Sequence, residues 1–283
     1  MPRCGLFAVK GAGVWGVTSL AGEVCVLRPF EVEVYDDITY RLQRRLTVPN
    51  IRGFSDIKSC EHYHCLYIGD HVVESVHRLD ISLQGAATRW PVNDKPQALS
   101  VNAAHGVIVT CRDVRKIKEF SSHGDLLREL TLPDDVIHPW HTIQSRSGQF
   151  IVCHGSRVFD DLIHRVCMIS ADGRHIVHSH GGQRGPDIGQ YDVPGHLAVD
   201  DSGSIFVADI NNRRVTLLSP TLNYVREVVS SDELKWRPTR LYFDVQKRHL
   251  YVADNYEKGG KYTAGRVLMF SVHVGQCNTA QFR

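Results

Sequence analysis

The segment 189–220 describes one supersecondary unit almost completely. It reads as a short apolar strand over 196–199, a polar turn at 200–203, a second strand over 205–208 and a third over 215–218. Short strands separated by turns rich in Asp, Ser and Gly are typical of an antiparallel sheet. A sheet of this size cannot bury both of its faces alone. The sequence therefore predicts several similar units packed side by side.

Copies of the second strand of this unit recur along the whole chain. The clearest copy is Val-Ala-Asp, which ends at Asp209 and again at Asp254. Weaker copies give six strand-end residues, separated by 42, 41, 43, 55 and 45 residues: Arg28, Asp70, Cys111, His154, Asp209 and Asp254. A period of roughly 40–50 residues is typical of the four-stranded blades of a β-propeller. The sequence therefore predicts an all-β protein, a six-bladed β-propeller of four-stranded antiparallel blades.

The phase of the repeats indicates one domain over residues 1–283. The predicted blades cover about 14–49, 54–92, 96–133, 139–180, 194–230 and 236–274. The last blade lacks a fourth strand, while the apolar segment 6–9 precedes the first blade without a blade of its own. We therefore expect the N-terminal strand 6–9 to pair with the last blade, which closes the ring and removes two exposed edges. The closed propeller is expected to be monomeric.

Composition narrows the class of protein. The formal net charge is +2, and no run approaches 18 consecutive apolar residues, so neither DNA binding nor a membrane span is expected. Cys25, Cys65, Cys111 and Cys153 each fall on a predicted second strand, one per blade. Cysteines buried singly behave as small apolar residues, which favours a reducing compartment. We therefore expect a cytoplasmic protein.

The fifth and sixth units resemble NHL repeats. The family pattern contains Gly-Gln-Tyr, a Pro-x-Gly strand that ends in Asp, a glycine turn, Val-Ala-Asp and Asn-x-Arg. Its counterparts in the fifth unit are 189–191, 194–200, Gly203, 205–209 and 212–215. The sixth unit matches over 238–255, and the other four match mainly in their hydrophobic phase. The resemblance implies the propeller fold more specifically than it implies any function.

The resemblance implies a non-catalytic function. In tripartite-motif NHL proteins, which belong to the ubiquitin pathway, a similar propeller follows a RING, B-boxes and a coiled coil, and it binds RNA or proteins. This sequence has no Cys-x-x-Cys pair and no sustained heptad pattern, so it contains neither a RING-type zinc site nor a coiled coil. We expect a binding platform for protein partners or single-stranded RNA, without a cofactor, either alone or as the propeller of a longer ligase.

The start of each first strand and the end of each second strand lie on the same rim of a propeller, because neighbouring strands are antiparallel. We call this rim, with the loops that join it, the mouth face. Its basic residues are predicted to face phosphate groups, and its aromatic residues are predicted to stack on bases or contact proteins. The predicted binding residues are Arg112, Arg115, Lys116, Trp140, His141, Arg157, His196, Arg213, Arg214, Arg240 and Tyr256.

An alternative function comes from the first-strand positions that border the central channel. When the six repeats are aligned, the equivalent positions are Gly16, Asp56, Ala98, His141, His196 and Arg240. The two Pro-x-His sequences that end at His141 and His196 are similar to the metal-ligand pattern of peptidyl-amidating lyases, which are propellers that hold a metal ion with histidines. The resemblance implies a metal-dependent lyase with both histidines as ligands and Asp56 as a third ligand across the channel. Rim hydrogen bonds or partner contacts are the other interpretation of these histidines.

Overall fold

A computed structural model of the protein describes residues 4–5, 12–29, 31–81, 87–156 and 163–272. These residues form six antiparallel sheets of four strands each. The prediction of a six-bladed β-propeller is therefore confirmed. The described residues contain no helix that is long and apolar enough to cross a membrane.

The first three blades each consist of four consecutive strands, paired in chain order. Blade one contains β2 (Gly16–Leu20), β3 (Glu23–Arg28), β4 (Glu31–Asp36) and β5 (Leu42–Leu46). Blade two contains β6 (Phe54–Cys60), β7 (Cys65–Asp70), β8 (Ser75–Asp80) and β9 (Ala87–Pro91). Blade three contains β10 (Ala98–Val101), β11 (Val107–Cys111), β12 (Lys116–Phe120) and β13 (Leu126–Thr131).

The fourth and fifth blades repeat this order, and the sixth completes the ring. Blade four contains β14 (Pro139–Gln144), β15 (Phe150–His154), β16 (His164–Ile169) and β17 (Ile176–Gly182). Blade five contains β18 (Pro194–Val199), β19 (Ile205–Asp209), β20 (Arg214–Leu218) and β21 (Tyr224–Val229). Blade six contains β22 (Arg237–Asp244), β23 (His249–Lys258), β24 (Lys261–Ser271) and β1 (Cys4–Gly5).

Blade six takes its outer strand from the other end of the chain. Cys4 lies opposite Phe270 and Gly5 lies opposite Met269, so β1 pairs antiparallel with β24. Closure of the ring by an N-terminal strand is therefore confirmed. The segment 6–9, where the sequence placed that strand, lies outside the described residues.

The core lies between neighbouring blades. Every residue of the second strands β7, β11, β15 and β19 is buried, whereas the fourth strand β13 alternates exposed and half-buried residues. Side chains of adjacent blades interdigitate, as where Phe206 of blade five stacks on Phe243 of blade six with ring centroids 5.0 Å apart. The continuous apolar second strands therefore mark sheets covered on both faces, and the alternating fourth strands mark the outer edge.

Buried carboxylates at the ends of second strands hold the loops of the mouth face. Asp254 accepts hydrogen bonds from the backbone N–H groups of Lys235 and Trp236, at 3.1 and 2.8 Å. Asp209 accepts one from the N–H of Asp192 at 2.8 Å. These acceptors satisfy buried peptide groups in the loop that enters each blade. The strand-end aspartates are thus structural residues.

The single cysteines of the second strands are buried free thiols. Cys25, Cys65, Cys111 and Cys153 lie on β3, β7, β11 and β15, one per blade. Burial raises the pKa of Cys25 and of Cys111 to about 12. These two thiols are therefore neutral at physiological pH and serve as small apolar residues of the core.

Candidate functional site

Four polar side chains form one layer across the central channel. Asp56, His141, His196 and Arg240 occupy equivalent positions near the start of the innermost strand in blades two, four, five and six. Their exposed fractions are 1%, 0%, 0% and 6%. We call these four residues the channel layer. The ring brings together residues that are far apart in sequence, because every innermost strand contributes the same position.

Each of three side chains in the channel layer binds the backbone of the next blade. In each case the donor is the backbone N–H of the residue that comes directly after the equivalent position in the next blade. These bonds run from Leu99 to Asp56 Oδ2 at 3.0 Å, from Leu197 to His141 Nδ1 at 3.1 Å and from Leu241 to His196 Nδ1 at 3.2 Å. Innermost strands of different blades do not pair with one another. The channel layer therefore satisfies peptide groups that no sheet hydrogen bond reaches.

The hydrogen bonds fix the protonation state of both histidines. Because Nδ1 of His141 accepts a peptide N–H, the ring proton lies on Nε2, which donates to the carbonyl of Leu99 at 2.9 Å. His196 has the same arrangement, with its Nε2 3.5 Å from Asp56 Oδ2. Burial lowers the pKa of His141 and of His196 well below the ordinary histidine value. Both rings are therefore neutral, with the proton on Nε2.

Asp56 and Arg240 supply the two opposite charges of the channel layer. Asp56 Oδ1 accepts the N–H of Ile57 at 2.9 Å and lies 3.6 Å from Arg240 Nε. The guanidinium also donates to the carbonyl groups of Ser55, at 2.7 Å, and Thr239, at 2.9 Å. The pair compensates two charges that would otherwise be buried alone.

Blade one contributes a glycine to the same ring of positions, and close packing explains why. A Cβ atom on Gly16 would lie 2.6 Å from Ile57 Cγ2 and 2.9 Å from the Ile57 backbone nitrogen. A side chain here would push blade two outward and separate the channel layer from blade one. Gly16 therefore lets the layer close around Asp56.

The predicted metal ligands come together, but their orientation does not fit a metal ion. Ligand atoms of Asp56, His141 and His196 all lie within 4.8 Å of one another. The two imidazole rings stack, with centroids 3.9 Å apart and planes at 11°. A histidine binds a metal through a lone pair in the plane of its ring, and stacked parallel rings direct these lone pairs side by side. In addition, each Nδ1 is occupied by a peptide N–H and each Nε2 carries the proton.

Three of the predicted basic residues of the mouth face bind acidic groups of their own chain. Arg115 binds Asp134 at 3.0 Å, Lys116 binds Glu129 at 2.6 Å and Arg214 binds Asp209 at 2.8 Å. Arg240 lies in the channel layer, and Arg157 lies outside the described residues. Arg213 is exposed and makes no ion pair with any described residue. Spacing in the sequence could not show which arginines meet a carboxylate in the fold.

Trp140 and Arg112 meet on the mouth face. The indole N–H of Trp140 donates to the carbonyl of Gly155 at 2.7 Å, and the side chain is only 8% exposed. The Arg112 guanidinium lies 3.9 Å from the centre of the Trp140 ring. Trp140 is therefore a packed anchor whose ring contacts its own chain. Tyr256, with 45% exposure, is the more accessible of the two predicted aromatic residues.

A β-hairpin that the sequence analysis missed projects from the mouth face. Asp254 corresponds to Asp209, where β19 ends, but β23 continues for another four residues to Lys258 and pairs there with Lys261. At about 3.4 Å per residue, these four residues add roughly 14 Å of strand beyond Asp254. Two glycines with φ of 59° and 75° form its turn. A Gly-Gly pair between two Lys residues is the signal that would have predicted this hairpin.

Lys58 is a second feature of the site that the sequence analysis missed. It lies two positions after Asp56 on β6, so both side chains are on the same face of the strand. Burial lowers the pKa of Lys58, and the nearby Arg240 lowers it further, whereas Asp56 opposes the shift. Alignment of the six repeats could have identified this residue. It is a lysine at the position that the other blades fill with uncharged residues, namely Thr18, Ser100, Ile143, Ala198 and Tyr242.

Comparisons with solved structures show the fold. Hydrazine synthase of Kuenenia stuttgartiensis is 14% identical, with 86% of this chain and 93% of that chain covered and a TM-score of 0.63. A catalytically inactive virginiamycin B lyase from Staphylococcus aureus with quinupristin is 9% identical, with coverages of 96% and 99% and a TM-score of 0.63. The Cps50 (Swd1) β-propeller domain of Myceliophteria thermophila is 11% identical, with coverages of 96% and 100% and a TM-score of 0.62.

Comparisons of the sequence alone identify no relative. No family model matches the chain, and no curated protein matches it significantly. At these identities the likeness to solved structures extends to the propeller architecture and not to a function. The NHL resemblance of the fifth and sixth units stays a prediction.

Proposed function

We propose that this propeller is a non-catalytic binding platform for protein partners or single-stranded RNA, and that its mouth face makes the contact. The observation that supports the proposal is the projecting hairpin of β23 and β24. Tyr256, Lys258 and Lys261 are exposed on it, and Arg213 is exposed on the same face of the neighbouring blade. An aromatic ring among cations that pair with no acidic group of the described residues is suited to stacking on a base and to contacts with phosphate or acidic groups.

Packing gives the hairpin a defined position. Tyr262 lies against Trp15 with ring centroids 5.3 Å apart, and Tyr256 lies against Trp236 at 6.0 Å. Arg237 binds Glu257 at 3.2 Å across the base of the hairpin. A pre-ordered recognition element loses less conformational entropy on binding than a free loop does.

The NHL resemblance supports the same proposal, because the propellers of tripartite-motif NHL ligases recognise proteins and RNA. It also supports a monomeric protein in the cytoplasm that acts in the ubiquitin pathway. The basic surface is narrower than the sequence indicated. Because Arg115, Lys116, Arg214 and Arg240 bind groups of their own chain, we confine the contact to the hairpin and Arg213.

Reversal of the exposed charges tests the mouth face. We expect the triple variant Arg213→Glu, Lys258→Glu and Lys261→Glu to bind a fluorescently labelled single-stranded RNA at least about tenfold more weakly, because three phosphate contacts become repulsive. Fluorescence anisotropy at several salt concentrations measures the affinity. The loss of three contacts should make the negative slope of log affinity against log salt shallower by about two.

A matched control separates this effect from net charge. Arg41→Glu, Arg146→Glu and Arg174→Glu change three exposed arginines on the opposite face. For protein partners, a photo-crosslinking residue at position 256 should capture a partner that the same residue at position 146 does not. Equal RNA affinity in both triple variants, together with equal crosslinking at both positions, would refute the mouth face as the contact surface.

A metal-dependent lyase is the second candidate function. Its support is the convergence of Asp56, His141 and His196 within 4.8 Å. Because neither ring directs a free lone pair at a common point, we expect purified protein to contain only substoichiometric zinc, calcium or magnesium by elemental analysis. One equivalent of metal that disappears in His141→Gln and in His196→Gln would support the lyase instead. Both variants should be checked for folding by circular dichroism.

A further inference from the structure

A cavity of about 180 Å³ lies in the central channel on the side of the channel layer away from the mouth face. Lys58 and His141 contribute to its wall near the layer, and Val199 and Phe243 contribute near the opposite face. Since the channel layer is almost completely buried, it closes the cavity on the mouth side. The cavity therefore has one accessible end.

Lys58 brings an uncompensated cation into this cavity. Its side chain is half-buried, and it makes no hydrogen bond or ion pair with any described residue. A lysine in such a position normally binds a carboxylate or carbonyl oxygen, because an isolated buried charge is unfavourable. The structure thus presents three unused hydrogen-bond donors to the cavity.

The charges along the channel do not balance. Asp56 is the single acidic group of the channel layer and Arg240 is its single cation, while His141 and His196 are neutral because each accepts a peptide N–H on Nδ1. Lys58 adds one further positive charge. The channel layer together with Lys58 therefore carries an excess of one positive charge, which a monovalent anion would neutralise.

Each hydroxyl group of the cavity wall already has a hydrogen-bond partner within the protein. Thr18 Oγ1 and Ser59 Oγ are 2.7 Å apart, and Ser100 Oγ donates to the carbonyl of Thr142 at 2.8 Å. Tyr242 OH lies 2.9 Å from the hydroxyl of Ser19 outside the cavity wall. The Lys58 ammonium is thus the group of the wall that remains for a ligand. The rest of the wall is largely apolar and includes Ile143, Leu241 and Phe243.

We propose that the cavity binds a small monocarboxylate, with its carboxylate on the Lys58 ammonium and its apolar part against Ile143, Leu241 and Phe243. The single ammonium group of Lys58 favours a ligand with one anionic group. A second anionic group would lie against the apolar wall without a counter-charge. The ligand enters from the face opposite the mouth. There a larger cavity of about 530 Å³ shares Val101, Ile143 and Val199 with the first. The site is separate from the mouth face and does not depend on the function proposed for it.

Titration with butyrate tests the site, with affinity measured by calorimetry and by the chemical shifts of the cavity methyl groups. We expect saturable binding of butyrate, an increase of the melting temperature with butyrate concentration, and no binding of butyramide, which has the same shape without the charge. Lys58→Gln should weaken butyrate binding at least about tenfold. Lys95→Gln, which removes an exposed lysine at the mouth face, should leave it unchanged.

A second pair of probes identifies the source of the carboxylate. A short apolar peptide with a free C-terminus competes with butyrate if the natural ligand is a chain end, and its amidated form does not. Competition by neither peptide assigns the site to free small acids. Equal binding of butyrate and butyramide, or undiminished butyrate binding by folded Lys58→Gln, would overturn the proposal. A third contrary result would be labelling of Lys58 by an amine-reactive aldehyde, which shows a neutral amine, together with no binding of butyrate.

Discussion

Asp56→Ala is expected to lower the free energy of unfolding by about 3–5 kcal/mol, as is usual when one partner of a buried ion pair is removed. The substitution leaves Arg240, which is 6% exposed, without its carboxylate. It also removes the acceptor of the N–H groups of Ile57 and Leu99. Urea denaturation followed by circular dichroism measures the change.

Two further variants separate the ion pair from a general effect of truncation. Asp56→Ala combined with Arg240→Met should be more stable than the sum of the single changes predicts, with a coupling of at least about 1 kcal/mol. Asp113→Ala, at an exposed ion pair with Lys95, should change stability by no more than about 1 kcal/mol. Additive single changes at Asp56 and Arg240 would show that the channel layer does not act as a unit.

Stability is expected to fall steeply as the pH drops below about 6.5. Burial lowers the pKa of His154 to about 3 and lowers that of His141 and of His196 well below the ordinary value. The folded state therefore binds fewer protons than the unfolded state does, and each histidine removes about 1.4 kcal/mol per pH unit below the unfolded pKa. Burial also raises the pKa of Asp209 to about 6, which acts in the opposite direction. We expect a net loss of at least roughly 3 kcal/mol per pH unit between pH 6 and 4, because burial also lowers the pKa of His77, His138, His180 and His249.

Urea denaturation at intervals between pH 8 and 4 measures this slope. His154→Gln should reduce it by about 1.4 kcal/mol per pH unit, because one buried titrating group is removed while Gln still accepts from Arg165. His178→Gln, on the exposed outer strand β17, should leave it unchanged. A stability that is flat through pH 6 would mean that the three histidines are protonated in the folded state.

The architecture was predictable because it follows from a local pattern repeated six times. Second strands are buried on both faces, so each one is a continuous apolar run such as 205–208. The number of these runs gives the number of blades, although their spacing varies from 41 to 55 residues. The closing strand was predictable as an unpaired apolar segment ahead of blade one. The register of its pairing with β24 was not predictable, since contacts between the two ends of a chain leave no periodic trace in the sequence.

The membership of the channel layer was also predictable, because phased repeats place equivalent residues around one ring. What the layer does was not predictable. The stacking of His141 on His196, and the peptide N–H groups that occupy their Nδ1 atoms, depend on distances of a few ångströms between blades. The same limit applies to Arg214, which reads as a free cation in the sequence and binds Asp209 in the fold.

The protonation of His141 and His196 in solution tests most directly the central claim that the channel layer is a hydrogen-bonded closure and not a metal centre. Long-range nitrogen–proton correlation spectra, assigned with His141→Gln and His196→Gln, report which ring nitrogen carries the proton. We expect neutral rings with the proton on Nε2 at pH 7 and no change on addition of zinc. Deprotonated Nε2 atoms whose signals shift with one equivalent of zinc would contradict it.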